Sequence, residues 1–140
     1  KNSVGIHLRF YEKNILSNSN LNVLYYINAI NYINKKVDSP KFYIFSDNIS
    51  LAKILLRNCD IEYEIISEKS SLLDEVDELY LFSKCKHVII SNSTFSWWGA
   101  WLTDSGEKII ISPDIYMNGP YAAWGFYGLI PEHWIKLPVI

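Results

Sequence analysis

Three short polar segments of this 140-residue chain contain the residue types that could bind or transform a ligand. Each segment follows an apolar run, so each is expected at the end of a buried strand. Arg9 can bind two phosphate oxygens at once with its planar guanidinium group. A hydroxyl-rich turn before a helix offers backbone N–H groups to an anion. These residue types therefore predict a clamp for a diphosphate. The candidate residues are His7, Arg9, Ser46, Asp47, Asn92, Ser93, Thr94, Phe95 and Ser96.

Each candidate also has an ordinary structural interpretation. Arg9 could form a salt bridge at the strand end, and His7 could be a buried hydrogen-bonding residue rather than a group that orients a substrate or handles a proton. Asp47 could accept hydrogen bonds from a ribose or a base, or it could cap the following helix. Ser93 or Thr94 could do no more than cap the helix that they precede.

Strand-like and helix-like patterns alternate along the chain and predict an α/β fold. The expected architecture is a Rossmann-like parallel sheet of about five strands, ordered 3-2-1-4-5, with helices on both faces. The predicted strands are 3–9, 41–45, 61–66, 87–90 and 108–112. The predicted helices are 20–36 with Asn20 as cap, a helix from Asn48 or Ser50 to Arg57, 71–84 with a Ser71/Asp74 capping box, and 95–102 ended by Gly106. From Pro113 onward the pattern predicts irregular structure.

The predicted architecture brings the polar segments together. The carboxyl ends of parallel strands meet at one edge of a sheet, and ligands of open α/β sheets bind there beside the point where the strand order reverses. The three tryptophans Trp97, Trp98 and Trp101 are interpreted mainly as packing residues, with Gly99 and Ala100 allowing close helix approach. The acidic face of helix 71–84 is interpreted as solvated.

Composition narrows the class of protein. The net charge of −2 and the pI near 5.9 argue against nucleic acid as a partner, and residues 1–140 are expected to form one domain with no membrane-spanning segment. Cys59 and Cys85 lack metal-ligand spacing and are expected to be reduced thiols in a protein of the cytoplasm or the membrane periphery. No motif for a metal, a cofactor or a nucleophile elbow is present. The start at Lys1, without an initiator Met, predicts a fragment that lacks an N-terminal region.

Three motifs resemble the α-1,2-fucosyltransferase family, glycosyltransferase family 11. They are Val4-Gly5-Ile6-His7-Leu8-Arg9, then Phe42-Tyr43-Ile44-Phe45-Ser46-Asp47, then the segment from Asp77 to Leu102 with Ser-Lys-Cys-Lys-His and Asn-Ser-Thr-Phe-Ser-Trp-Trp-Gly-Ala-Trp-Leu. The third motif is long and specific. The resemblance covers nearly the whole chain and corresponds to the C-terminal, donor-binding half of the family's proteins.

The resemblance implies a bacterial-type transferase that moves L-fucose from GDP-fucose to O2 of a β-galactoside, with inversion and without a metal. It implies one half of a glycosyltransferase-B architecture, with an N-terminal acceptor domain outside this chain. Arg9 would bind the donor diphosphate, and the turn from Ser93 to Ser96 would bind the phosphates. The only small molecules implied are GDP-fucose and the galactoside acceptor.

The first motif departs from the family pattern. Family members usually have His-x-Arg-Arg-Gly-Asp, and this chain has Phe10-Tyr11-Glu12 after Arg9, without the second arginine or the aspartate. The departure leaves two hypotheses from different classes. One is the donor-binding domain of a transferase, inactive alone, and the other is a nucleotide- or glycan-binding module that kept the fold and lost transfer.

Overall fold

The computed structural model describes residues 2–10, 23–67, 75–103, 107–114 and 130–138. Among these residues six parallel strands form one sheet, in the order β3-β2-β1-β4-β5-β6. The strands are β1 (Ser3–Leu8), β2 (Lys41–Ser46), β3 (Tyr63–Ile65), β4 (His87–Ile89), β5 (Ile110–Pro113) and β6 (Ile135–Leu137). The helices are α1 (Val23–Lys36), α2 (Ile49–Leu56), α3 (Glu75–Lys84) and α4 (Thr94–Leu102).

The predicted order 3-2-1-4-5 is confirmed, and a sixth strand extends it. β6 pairs with β5 in parallel, with Ile111 opposite Ile135. The prediction of irregular structure after Pro113 is therefore wrong for 135–137. Three residues are too short a run for alternation to reveal a strand, so pairing with β5 had to specify it.

The helices cover both faces of the sheet, because alternate strand residues pack into two separate clusters. Val4, Ile6 and Leu8 of β1 pack in one cluster with the buried residues of α1 and α2. Val88 of β4 packs in the other cluster with Phe82 of α3 and Ala100 of α4. The prediction of a Rossmann-like sheet with helices on both faces is confirmed, and α3 and α4 cover the face that carries His7.

Two helix caps fall on predicted positions. Asn48 has an extended backbone and its side chain accepts the N–H of Leu51 at 3.1 Å, which starts α2. Ser93 likewise starts α4 and accepts the N–H of Phe95 at 3.2 Å. The predicted cap Asn20, the Ser71/Asp74 capping box and the helix end at Gly106 lie outside the described residues.

The predicted close approach at Gly99 and Ala100 is confirmed, and both residues are buried. A Cβ atom at Gly99 would lie 2.6 Å from Cδ2 of Phe82, so only hydrogen at this position lets α4 pack this near to α3. Phe82 in turn packs edge-to-face on Phe45 of β2, with ring centroids 5.3 Å apart. Phe82 thus packs against both α4 and the sheet.

The packing interpretation of the tryptophans is wrong for two of the three. Trp98 and Trp101 are 48% and 50% exposed, whereas Trp97 is partly buried and contacts Trp134. Trp97 stacks on Trp101, with centroids 6.0 Å apart and planes within 10°. Residues three and four apart share a helix face, but α4 is short and has only one side against the sheet, so the outer rings stay in solvent.

Within the described ranges, no helix combines the length and the apolar character needed to cross a bilayer.

Candidate functional site

A cleft of about 210 Å³ lies at the carboxyl edge of the sheet, beside the neighbouring strands β1 and β4. The chain leaves β1 toward β2 and β3 and returns to β4 on the other side, so the strand order reverses at this point. That is where ligands of open α/β sheets bind. The cleft is lined by His7, Arg9, Phe45, Ser46, Asp47, Glu75, Glu78, Ser93 and Phe95.

Six of the nine predicted site residues line this cleft. The other three lie in the same turn or at the helix start but do not line it: Asn92 and Ser96 are buried, and Thr94 is exposed as the first residue of α4. The convergence follows from parallel pairing, because β1 lies between β2 and β4 and all three strands end at the same edge. The spatial clustering predicted from the polar strand ends is therefore confirmed.

Arg9 and Asp47 form an ion pair across the ends of β1 and β2. Nη1 of Arg9 lies 3.2 Å from Oδ2 of Asp47, and the two side chains are 41% and 32% exposed. Oδ1 of Asp47 accepts the backbone N–H of Phe10 at 3.0 Å. The predicted salt bridge of Arg9 is therefore confirmed, with Asp47 as its partner, and the alternative role of Asp47 as a cap is wrong because Asn48 caps α2. A partly exposed pair of this kind is weak, so a phosphate can compete for the guanidinium.

Phe10 explains in structural terms the departure from the family's first motif. Its side chain is buried and packs in the cluster beneath α1 and α2. A second arginine in this place would bury a charge, which is costly without a partner. At this position the chain therefore contributes to the core, and Arg9 is the arginine that lines the cleft.

His7 forms part of the cleft wall as a neutral side chain. Nδ1 lies 2.9 Å from Oγ of Ser91, and the ring packs against Phe95 and Phe82 with centroids 4.8 Å and 6.0 Å away. Burial and the nearby charge of Arg9 lower the pKa of His7 to about 3. A group with this pKa is a poor proton acceptor at neutral pH, which favours orientation over proton handling among the roles predicted for His7.

The turn between β4 and α4 combines a cap with a potential anion site. The hydroxyl of Ser96 accepts the N–H of Ser91 at 3.1 Å and donates to the carbonyl of Ser93 at 3.3 Å, which holds the turn closed. Capping by Ser93 satisfies one N–H group of the first turn and leaves the positive end of the helix dipole in place. Since Ser93 also lines the cleft, capping and anion binding are compatible at this residue.

Two carboxylates and one aromatic ring of the cleft were not predicted from the sequence. Glu75 and Glu78 lie three apart in the first turn of α3, so they share a helix face, and that face borders the cleft rather than being merely solvated. The carboxylate of Glu78 accepts a hydrogen bond from the Ser67 hydroxyl, which itself accepts the N–H of Ser46 at 2.9 Å. The available signal was the acidic first turn of a helix that follows a strand. The missed ring is that of Phe45.

Comparison with known proteins agrees with this geometry. The sequence profile described as "Glycosyl transferase family 11" matches residues 1–124. The chain is 34% identical over 113 residues to "O-antigen biosynthesis glycosyltransferase WbnK" of Escherichia coli, covering 81% of this chain and 35% of that protein. It is 31% identical over 146 residues to "Alpha-1,2-colitosyltransferase" of Escherichia coli, covering 97% of this chain and 48% of that protein.

No solved structure is significantly similar to the chain. The chain spans between about a third and a half of the length of these curated relatives. The family profile nevertheless covers both β1 with Arg9 and the turn before α4, which are the elements that form the cleft. The chain belongs to glycosyl transferase family 11.

Proposed function

We propose that this chain binds the nucleotide-sugar donor of an inverting transferase, and that the donor is GDP-fucose. The observation that carries the proposal is the position of Arg9 and Ser93 at one cleft, beside the N-terminus of α4. A guanidinium and a helix N-terminus are both suited to a diphosphate. Family membership supports a glycosyl donor as the molecule that carries this diphosphate.

In the proposed reaction, O2 of a β-galactoside attacks C1 of fucose while the bond from C1 to the diphosphate oxygen breaks. The proton of the acceptor hydroxyl passes to solvent water, and GDP leaves with the electron pair of the broken bond. Arg9 exchanges Asp47 for the diphosphate and stabilises the charge that develops on GDP, together with the α4 dipole. We propose that these groups do so without a metal ion.

The sugar and the acceptor rest on the family resemblance and on the relatives' names. One relative is named a colitosyltransferase, so a colitosyl nucleotide is the second donor to test. The carboxylates of Glu75 and Glu78 at the α3 end of the cleft are suited to accept hydrogen bonds from the ribose or the base, because carboxylates accept from hydroxyl and N–H groups. The diphosphate would then lie toward β4 and the nucleoside toward α3.

A second function keeps the binding site and omits the transfer. The observation that favours it is Phe10, which is buried where the family usually has a second arginine. With one arginine fewer than the usual family motif, the cleft would stabilise the negative charge on the departing GDP less well in the transition state. Binding of GDP in the ground state can persist.

The test is a transfer assay on the complete protein that contains this chain, with lactose as acceptor and GDP-fucose or the colitosyl nucleotide as donor. Formation of an α-1,2-linked product, identified by NMR, supports the transferase. Binding of GDP by calorimetry without any product supports the binding module. A protein that binds neither GDP nor donor, with ADP and UDP as comparison ligands, would refute both functions.

A further inference from the structure

A hydrogen-bonded network lies beneath the cleft and includes one residue without an assigned role. Ser91 lies two residues after the end of β4 and is fully buried. Its hydroxyl lies 2.9 Å from Nδ1 of His7 and 3.3 Å from the hydroxyl of Ser96. Ser91 does not line the cleft, so it can act on a ligand only through the residues that it contacts, and of its two hydroxyl partners it is His7 that lines the cleft.

The positions of the hydroxyl protons decide which nitrogen of His7 carries hydrogen. Each serine hydroxyl has one proton to donate. Ser96 donates its proton to the carbonyl of Ser93, so the proton of Ser91 can go to Ser96 or to Nδ1 of His7. The contact with Nδ1 is the shorter one and lies at the preferred hydrogen-bond distance, whereas 3.3 Å between two hydroxyls is long. These distances favour donation from Ser91 to Nδ1, and a neutral imidazole with this partner carries its hydrogen on Nε2.

We propose that Ser91 is a positioning residue that holds His7 in the Nε2–H tautomer, so that the ring offers the cleft an uncharged hydrogen-bond donor. This inference rests on the proposed function, because the acceptor for Nε2–H would be an oxygen of the nucleotide-sugar donor. His7 lines the same cleft as Arg9, and its ring is held between Phe95 and Phe82. A neutral donor adds a hydrogen bond to a bound phosphate without placing a second positive charge beside Arg9.

The opposite tautomer would give the site different chemistry. If Ser91 donated to Ser96, Nδ1–H of His7 would donate to Ser91 and Nε2 would be an acceptor. A lone pair directed at the cleft would repel phosphate oxygens. It would instead accept a hydrogen bond from a hydroxyl group of the acceptor sugar. The two arrangements are therefore separated by a direct measurement of the tautomer.

The experiment is imidazole nitrogen NMR on the full chain with ¹⁵N-labelled histidine, at pH 7, without ligand and with GDP. The expected spectrum of His7 has a protonated Nε2 and an unprotonated Nδ1. Ser91→Ala should convert this signature to a mixture of tautomers and should weaken GDP binding by about tenfold, the loss expected for one hydrogen bond. Ser91→Thr keeps the hydroxyl and should restore both the signature and the affinity.

Ser112→Ala is the matched control. Ser112 is also fully buried and lies in the neighbouring strand β5, where its hydroxyl donates to the carbonyl of Pro113 at 3.1 Å. This variant removes a buried hydroxyl outside the cleft and should leave the His7 spectrum unchanged.

A protonated Nδ1 in the wild-type spectrum would overturn the proposal, and this result needs no variant to fold. Unchanged tautomer and GDP affinity in Ser91→Ala would overturn it as well. The tautomer is measured without ligand, so the failure of the proposed function is seen separately. In that case the wild-type chain has the expected spectrum but does not bind GDP.

Discussion

Among the described residues that line the cleft, Arg9 provides the positive charge, and its guanidinium can bind a phosphate ligand. Its partner Asp47 is partly exposed, and one carboxylate oxygen of Asp47 is also engaged by the backbone of Phe10. The ion pair therefore directs the guanidinium over the strand ends and contributes little to folding. The neighbouring His7 is kept neutral by burial and by the same arginine.

Arg9→Ala in the complete protein should lower kcat/KM for transfer by a factor of about 100 or more, the effect of losing one donor to a developing oxyanion. The free energy of unfolding should change by at most about 1 kcal/mol, because the ion pair is partly exposed. Arg9→Lys should recover only part of the rate, since lysine keeps the charge and loses the fork.

Arg57→Ala is the control for this experiment, because Arg57 is exposed at the C-terminus of α2 and does not line the cleft. Transfer by a folded Arg9→Ala protein at the wild-type kcat/KM would remove Arg9 from the mechanism.

The buried His7 should make the protein less stable in acid. Its pKa is about 3 in the folded chain and near 6.5 when exposed, so between these values the unfolded state binds a proton that the folded state does not. Stability should therefore fall as the pH drops from about 6.5 to about 3, by up to about 1.4 kcal/mol per pH unit from this residue.

Urea unfolding of wild type and of His7→Asn across this pH range measures the effect. Among the residues that the structure describes, the charged groups that line the same cleft are Arg9, Asp47, Glu75 and Glu78. Both proteins contain them, so the difference in slope isolates His7. If the free energy of unfolding depends on pH in the same way in both proteins, the buried His7 is not the cause of the acid sensitivity.

At the scale of elements, the site depends on how closely α3 and α4 pack against the sheet. Phe82 of α3 contacts His7, Phe45 and Phe95, so one ring joins this helix to two strand ends and to α4. Gly99 provides the space for that ring. The packing of the helices and the shape of the cleft are therefore linked through the ring of Phe82.

Gly99→Ala should destabilise the chain by about 1–3 kcal/mol, as expected for a methyl group forced into a filled core. At an exposed helix position the same change would stabilise the chain by up to about 1 kcal/mol. The sign of the change in unfolding free energy therefore shows whether the added methyl group meets a packed neighbour. Thermal unfolding measures it. Phe82→Leu should reduce the penalty of Gly99→Ala when the two are combined, and strictly additive losses would show that the ring is not what the methyl group meets.

The N-terminus of α4 can be tested for anion binding separately from capping. Ser93→Asp keeps a capping oxygen but adds a negative charge at the cleft, so it should weaken GDP binding while remaining closer to wild type in stability than Ser93→Ala. Ser93→Ala should cost about 1 kcal/mol in unfolding free energy. Calorimetry and thermal unfolding give the two quantities.

Asn48→Asp is the matched change at the cap of α2, a residue that does not line the cleft. Equal GDP affinity in Ser93→Asp and Asn48→Asp would leave Ser93 as a cap only.

For the whole molecule, the size of the cleft limits what this chain can do alone. Pockets that enclose small molecules usually have about 300–1,000 Å³, and this cleft has about 210 Å³. A nucleotide sugar bound here would remain partly exposed to water. The curated relatives are two to three times as long as this chain.

The 140-residue chain should therefore bind GDP and transfer no fucose, because transfer needs a positioned acceptor and exclusion of water from the donor. Calorimetry with GDP and a radiolabelled transfer assay with lactose test the two halves of this prediction. The complete protein is the positive control. Turnover by residues 1–140 would mean that no further segment is needed.

The sequence by itself determined the fold class, the strand order of β1 to β5 and the edge at which the polar segments meet. These features follow from local patterns: buried parallel strands are apolar along their length, and their polar ends must lie at the rim. The caps Asn48 and Ser93 are equally local, since each bonds to an N–H group within three residues.

Only the tertiary structure decided how the site residues pair. The Arg9–Asp47 ion pair and the contact between His7 and Ser91 join residues 38 and 84 positions apart. Strand spacing and side-chain direction determine such pairs, and no local pattern encodes them. The strand β6, the placement of Glu75 and Glu78 and the exposure of Trp98 and Trp101 were missed for the same reason: each depends on what the neighbouring element covers, which is settled when the layers pack.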